Sequence, residues 1–299
     1  MRTVYLGTSE FAVAVLERLA ASPHRPQLVV TRPDRPRGRG RRVTPPPVAL
    51  AAAELGIELD QPASVNDADA RARIAEVTPD VLVVCAFGAL IKEELLAEHR
   101  ILNVHPSLLP RWRGAAPIER AIMAGDSTTG VSIMELTAGL DSGPVCLEES
   151  EPIGPQDTYG TLAQRLQRIG GELLVRALDE SPPCAEQDEA RVTYADKITA
   201  ADRQLDPTQP AAQLERTVRA LTPHIGAYVV LGDGTQLGVR EARVAQPQGD
   251  RADPGPPGTV SLDGPLPVLA TADGTLELVV VQPPGKRPMP GVDYLRGRR

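Results

Sequence analysis

Ile101-Leu102-Asn103-Val104-His105-Pro106-Ser107-Leu108-Leu109-Pro110 decides how this chain folds. Residues 101–104 form a short apolar run that reads as a buried strand, and the prolines behind it stop the strand and open a loop. On a strand, Asn103 and His105 project to the same face. A neutral amide donor and a titratable imidazole therefore look into one cleft. That pair suits attack of an amine on a carbonyl, which needs a donor for the developing oxyanion and a group that moves protons near neutral pH. An isolated Asn-x-His is equally a turn cap beside a structural histidine, so the surrounding sequence has to arbitrate.

Outward from this strand, strand and helix signals alternate. Apolar runs at 3–6, 28–31, 81–85, 101–104 and 131–134 read as buried strands. Ala12, Val15, Leu16 and Leu19 recur at helical spacing behind Ser9, a suitable N-cap. Further helices are predicted at 47–55, 68–77 and 161–178. The pattern predicts an α/β fold with a doubly wound, Rossmann-like parallel sheet, in which ligands bind at the carboxyl ends of strands. Asn103, His105 and Asp141 fall at predicted strand ends. The first turn, Gly7-Thr8-Ser9-Glu10, has one glycine where a dinucleotide fingerprint needs three, which argues against a nicotinamide cofactor.

From 182 to 210 the pattern dissolves into a polar, proline-containing stretch. Beyond it, runs at 227–231, 236–244, 259–262, 268–271 and 276–281, with Asp-Gly turns at 233–234 and 273–274, predict a small β-barrel. The expected organisation is a catalytic domain over 1–184, a linker over 185–206 and a β domain over 207–299.

The 299 residues include three cysteines, Cys85, Cys146 and Cys184, none in a metal-type pair. Their spacing predicts neither a disulfide framework nor a metal site, and fits a reducing cytoplasm. Cys85 reads as a buried filler. No stretch approaches the length that spans a bilayer, so no membrane partner is expected. Net charge is −7, but its distribution is uneven. Residues 32–42 hold six arginines against one aspartate, and residues 285–299 hold five basic residues against one aspartate. Two basic islands on an acidic body suit local contact with a polyanion.

Several motifs then converge. The run from Asn103 continues as Arg111-Trp112-Arg113-Gly114-Ala115-Ala116-Pro117-Ile118, and Gly139-Leu140-Asp141-Ser142-Gly143 supplies a second motif. Leu6-Gly7-Thr8-Ser9-Glu10-Phe11-Ala12 and Gln282-Pro283-Pro284-Gly285-Lys286 frame them near the two ends. With these the chain resembles the folate-dependent formyltransferases, most closely the branch that acts on charged initiator tRNA. The resemblance implies transfer of a formyl group from 10-formyltetrahydrofolate, used as a substrate without a metal, to the α-amino group of methionyl-tRNA. It implies Asn103, His105 and Asp141 as the catalytic set, with His105 either charged donor or base. It places Ser107, Leu108, Leu109 and Pro110 beside the folate, with Ala86, Phe87 and Gly88 as the opposite wall. The arginine loop matches the segment that recognises the tRNA acceptor end, so Arg37, Arg39, Arg41 and Arg42 become candidate tRNA contacts, joined by Lys286 and Arg287. It also implies an OB-like barrel for the C-terminal domain. A monomer is expected. Relatives that formylate a glycinamide ribonucleotide or an amino sugar nucleotide share the catalytic set; the arginine loop and the barrel favour tRNA.

Overall fold

The computed structural model describes residues 1–37, 42–246 and 255–297. In chain order the elements are β1 (Thr3–Gly7), α1 (Glu10–Ala20), β2 (Pro26–Val30), β3 (Arg35–Arg37), β4 (Arg42–Thr44), α2 (Pro47–Leu55), β5 (Glu58–Asp60), α3 (Ala68–Glu76), β6 (Val81–Cys85), α4 (Glu93–Glu98), β7 (Ile101–His105) and β8 (Arg113–Gly114). Then follow α5 (Pro117–Ala124), β9 (Thr128–Glu135), β10 (Val145–Pro152), α6 (Tyr159–Glu180), β11 (Tyr194–Ala195), α7 (Ala200–Arg203), α8 (Ala211–Leu221), β12 (Ala227–Val230), β13 (Gln236–Val244), β14 (Val260–Ser261), β15 (Val268–Ala270), β16 (Thr275–Gln282), β17 (Met289–Pro290) and α9 (Gly291–Arg296). Two compact units emerge. One comprises Met1–Gly114, Thr128–Pro152 and Ala163–Tyr194; the other comprises Ala115–Ser127, Ile153–Leu162 and Ala195–Arg299.

The first unit is built on a seven-stranded sheet of order β10-β9-β7-β6-β1-β2-β5. β5, β2, β1, β6 and β7 are parallel, as their apolar runs predict. β9 and β10 extend the sheet antiparallel to β7 and to each other. A nine-residue connection, 136–144, is too short for the crossover that parallel neighbours need, so β9 and β10 form a hairpin. β1, β6 and β7 are buried along their whole length. Ser9 caps α1, its hydroxyl accepting from the Ala12 N–H at 3.4 Å.

One face of the sheet gathers Val4, Leu6, Leu28, Val30, Leu82, Val84 and Ile101 with Ile74 of α3 and Leu95 of α4. On β7, Val104 points the other way, toward α6. A Cβ at Gly170 would lie 2.9 Å from Val104 Cγ1, so glycine lets α6 approach this strand. The alternation leaves Asn103 and His105 on the face away from α6.

The structure joins Cys146 to Cys184, against the expectation that the cysteines stay unpaired. Val145 and Ala185 exchange backbone hydrogen bonds, each 2.8 Å, which sets the neighbouring cysteines side by side. Such a contact between residues 38 apart leaves no trace in local spacing. Cys85 is fully buried, and burial pushes its thiol up to about 12, which suits a filler and not a nucleophile.

The second unit carries an antiparallel sheet of order β12-β13-β16-β15-β14, with β17 also on β16. It is a half-barrel: among the described residues its end strands β12 and β14 do not pair with each other. α8 packs on β13 and on α5, and Leu214, Val218 and Leu221 fill the core with Leu237, Val239, Leu276 and Leu278. Among the described residues no helix is long and apolar enough to cross a membrane.

Candidate active site

His105 ends β7, where the left-handed conformation of Trp112 (φ +64°) and the loop before it return the chain toward the ring. His105 Nε2 lies 2.9 Å from the Trp112 carbonyl oxygen. A carbonyl only accepts, so Nε2 carries a proton and donates. Nδ1 is then the nitrogen available for proton exchange, and it faces Asp141 Oδ2 at 3.7 Å. Both side chains are screened from water, 5% and 13% exposed.

Asp141 stands at neither end of a strand, contrary to its predicted place. β9 ends beside Leu102, and the connection to β10 folds back to bring Asp141 to His105. Its carboxylate Oδ2 accepts from the Gly114 N–H at 2.8 Å, which holds the acid next to the imidazole. The turn is tight. Asp141 has φ +45°, and a Cβ at Gly143 would come within 1.9 Å of the Glu135 carbonyl oxygen. Replacing Gly143 by Ala should therefore force the hairpin apart and cost about 1–3 kcal/mol. Chemical denaturation tests this, and an unfolding midpoint equal to that of the parent chain would contradict it.

Asn103 is 8% exposed, and none of the described residues hydrogen-bonds its amide. It pairs in register with Val84 on one side and Met134 on the other, so it sits inside the sheet with its donors uncommitted. The geometry thus combines an unspent donor with a His–Asp pair on one sheet face.

The loops after β6 and β7 leave adjacent strands at the same carboxyl end. Ser107 is fully buried; its hydroxyl donates to the Arg111 carbonyl at 2.6 Å. Ser132 of β9 ties the same loop, accepting from the Leu109 N–H at 3.1 Å and lying 2.7 Å from the Ser107 carbonyl. The Leu109–Pro110 peptide is cis, Leu109 is buried, and Leu108 and Pro110 are half-buried. On the other loop, Ala86 (φ +43°) and Gly88 (φ +69°) turn outward and are exposed. Phe87 packs into the core with Val84 and Ile91. Phe87 and Gly88 also border a cavity of about 320 Å³ together with Arg32, Ser64, Asn66 and Leu90. None of residues 107–110 lines that cavity.

Of the predicted tRNA contacts, Arg39 and Arg41 lie outside the described residues, and of Arg37 only the backbone, paired with Arg42, is described. Arg42 is exposed at the start of β4, in register with the last residue of β3. Lys286 and Arg287 are exposed in the second unit. Arg111 stacks on Trp112, its guanidinium carbon 4.3 Å from the ring centre.

Residues that sequence reasoning passed over also enter. Arg113 is buried, and its guanidinium donates to Gln187 Oε1 at 3.0 Å and to Glu189 at 2.7 Å. The hydrogen bond from Arg113 holds the Glu189 carboxyl below the usual range. Gln187 Nε2 donates to the carbonyls of Asp141 and Gly143 at 2.9 and 2.7 Å. Glu135 has a carboxylate oxygen within 4.8 Å of both Cys146 and Cys184 sulfurs, a grouping of metal-ligand type. The disulfide engages both thiols, and Arg100 Nε pairs with Glu135 at 2.7 Å.

Comparisons with known proteins meet this geometry from another side. Residues 1–178 match the formyl transferase family model, and residues 197–299 match the formyl transferase C-terminal domain. The methionyl-tRNA formyltransferase of Halorhodospira halophila is 45% identical over the whole of this chain and 96% of its own length. That of Thermobifida fusca is 44% identical over the whole chain and 97% of its own. Among solved structures, the sugar 3N-formyl transferase WlaRD superposes with a TM-score of 0.67 at 14% identity, covering 96% of this chain and 99% of that one. HypX from Aquifex aeolicus in complex with tetrahydrofolic acid gives 0.66 at 18% identity over 99% of this chain and 47% of its own, longer one. The structural likenesses establish the fold, and identity over the full length carries the assignment further: the chain belongs to the methionyl-tRNA formyltransferase family.

Proposed function

We propose that this chain transfers the formyl group of 10-formyltetrahydrofolate to the α-amino group of methionyl initiator tRNA. The observation that carries the chemistry is the uncommitted Asn103 amide on the same strand face as a His105–Asp141 pair. The neutral amine attacks the formyl carbon, and Asn103 donates to the formyl oxygen as negative charge builds on it. The new C–N bond leaves the amine nitrogen with one proton too many. That proton passes to the His105–Asp141 pair through Nδ1, and the folate nitrogen departs with a proton as the carbonyl re-forms. Nε2, held by the Trp112 carbonyl, keeps the ring from turning away.

The two loops at the carboxyl ends of β6 and β7 are our candidates for the folate, with Ser107–Pro110 on one side and Ala86–Gly88 on the other. Both follow the rule that doubly wound sheets bind ligands at this edge. A tetrahydrofolic acid complex of a fold relative supports folate as the donor. The basic islands around Arg37–Arg42 and Lys286–Arg287 suit phosphates of the acceptor stem, and action on charged initiator tRNA would place the enzyme in the cytoplasm.

The reading is tested by offering methionyl initiator tRNA, a glycinamide ribonucleotide and an amino sugar nucleotide together as acceptors. Formylation of the tRNA alone is expected; formylation of only a small amine would overturn the acceptor assignment. Replacing Lys286 and Arg287 by Ala should reduce the slope of log KM for tRNA against log salt by about 1–2, on the order of one counterion per lost phosphate contact. An unchanged slope would remove these two residues from the tRNA contact.

A further inference from the structure

We infer that Gln187 is a positioning residue for the transfer reaction, one that fixes the Asp141 turn relative to His105. The inference rests on the reading of Asp141 as catalytic. Gln187 commits its entire amide to this task. Both Nε2 protons are used, one on the Asp141 carbonyl at 2.9 Å and one on the Gly143 carbonyl at 2.7 Å, while Oε1 accepts from Arg113 Nε at 3.0 Å. The orientation of the amide is fixed by its partners: a guanidinium only donates and carbonyls only accept, so a flipped amide would lose all three bonds.

The placement matters because of what lies at each end. Arg113 precedes Gly114, whose N–H holds the Asp141 carboxylate at 2.8 Å. Gln187 therefore ties together the two pieces of chain that locate Asp141 Oδ2: the turn that carries the side chain and the strand that anchors it. The turn has reason to relax without it. Asp141 sits in the left-handed region at φ +45°, which L side chains other than glycine occupy at a cost of about 1 kcal/mol or more unless the surroundings hold them. Gln187 is itself held in place, since Ala185 is bridged to Val145, Cys184 is joined to Cys146, and Glu189 pairs with the buried Arg113.

Two substitutions separate the donor role from packing. Gln187→Met keeps the volume and removes every hydrogen bond. Gln187→Glu keeps an oxygen for Arg113 and loses the two donors to the turn. Steady-state transfer from 10-formyltetrahydrofolate to methionyl initiator tRNA should show kcat reduced about 10- to 100-fold in both, because small misplacement of a catalytic group costs rate steeply. KM for both substrates should stay within about twofold, since all of Gln187's hydrogen bonds go to Arg113 and the Asp141 turn and its effect would reach the reaction only through Asp141. Asp141→Asn is measured beside them. Parental kcat in Gln187→Glu, or a loss confined to KM, overturns the inference while a slow Asp141→Asn leaves the site reading standing. Parental kcat in Asp141→Asn overturns both. Should Gln187→Met fail to fold, Gln187→Glu decides alone.

Discussion

Asn103→Ala should keep its fold and lose about 10²–10³-fold in kcat, the range seen when one preorganised oxyanion donor is removed. The expectation follows from how the side chain is spent in the folded protein. Asn103 is 8% exposed on β7, and no described residue takes up its amide. Burying an amide without a protein partner has a cost in stability. In the proposed mechanism the donor is kept for a group that arrives with the substrate. The contact strengthens as charge moves onto the formyl oxygen, so its loss should fall on kcat and leave KM nearly unchanged. Substitution deletes no internal hydrogen bond, so the unfolding midpoint should hardly move. Parental kcat in a folded variant would remove Asn103 from the mechanism.

Asp141→Asn is expected to lose about 10²–10⁴-fold in kcat at neutral pH, the scale of a disabled general acid–base pair. The replacement has the same shape. An amide oxygen can take over the bond from the Gly114 N–H, now 2.8 Å, so the turn has no reason to move. What disappears is the negative charge 3.7 Å from His105 Nδ1 and the site that would receive or relay the amine proton. The comparison with Asn103→Ala is informative in itself. In the proposed mechanism one variant removes a donor to the oxyanion and the other removes proton transfer. A catalytic set that works as a unit makes their combined effect smaller than the product of the two. Unchanged kcat in folded Asp141→Asn would show that the carboxylate only shapes its turn.

Much of the first unit was legible in the chain because its strands are buried on both faces and so appear as unbroken apolar runs. β1, β6 and β7 match the predicted runs within a residue or two. The hairpin β12–β13 was readable for a different reason: Asp233-Gly234 supplies the positive φ its turn demands. Other elements were missed. β10 is an edge strand whose residues Glu148, Glu149 and Glu151 hide any apolar signal. α8 did carry a helical stripe in Ala211, Leu214, Val218 and Leu221, but it stands between a polar stretch without periodicity and a series of runs that read as strands.

The site divides along the same line. Asn103 and His105 are two residues apart on one strand, so their shared face follows from the period of a strand alone. The contact of Asp141 with His105 depends on a hairpin folding back, which no local pattern encodes; only the resemblance connected the two motifs. Gln187 was invisible for a further reason. It lies in a polar stretch without periodicity, read as a linker, and its role appears only when the bridge between Val145 and Ala185 lays that stretch along β10. The Cys146–Cys184 pair was hidden for the same reason, since that bridge brings the two residues together and nothing local announces it.

Single-turnover transfer from formyl-labelled 10-formyltetrahydrofolate to methionyl initiator tRNA is the decisive experiment. With enzyme in excess, label should appear on the methionyl α-amine in step with release of one tetrahydrofolate per formyl transferred. Release of tetrahydrofolate without label on the tRNA, or no turnover of either substrate, would contradict the account.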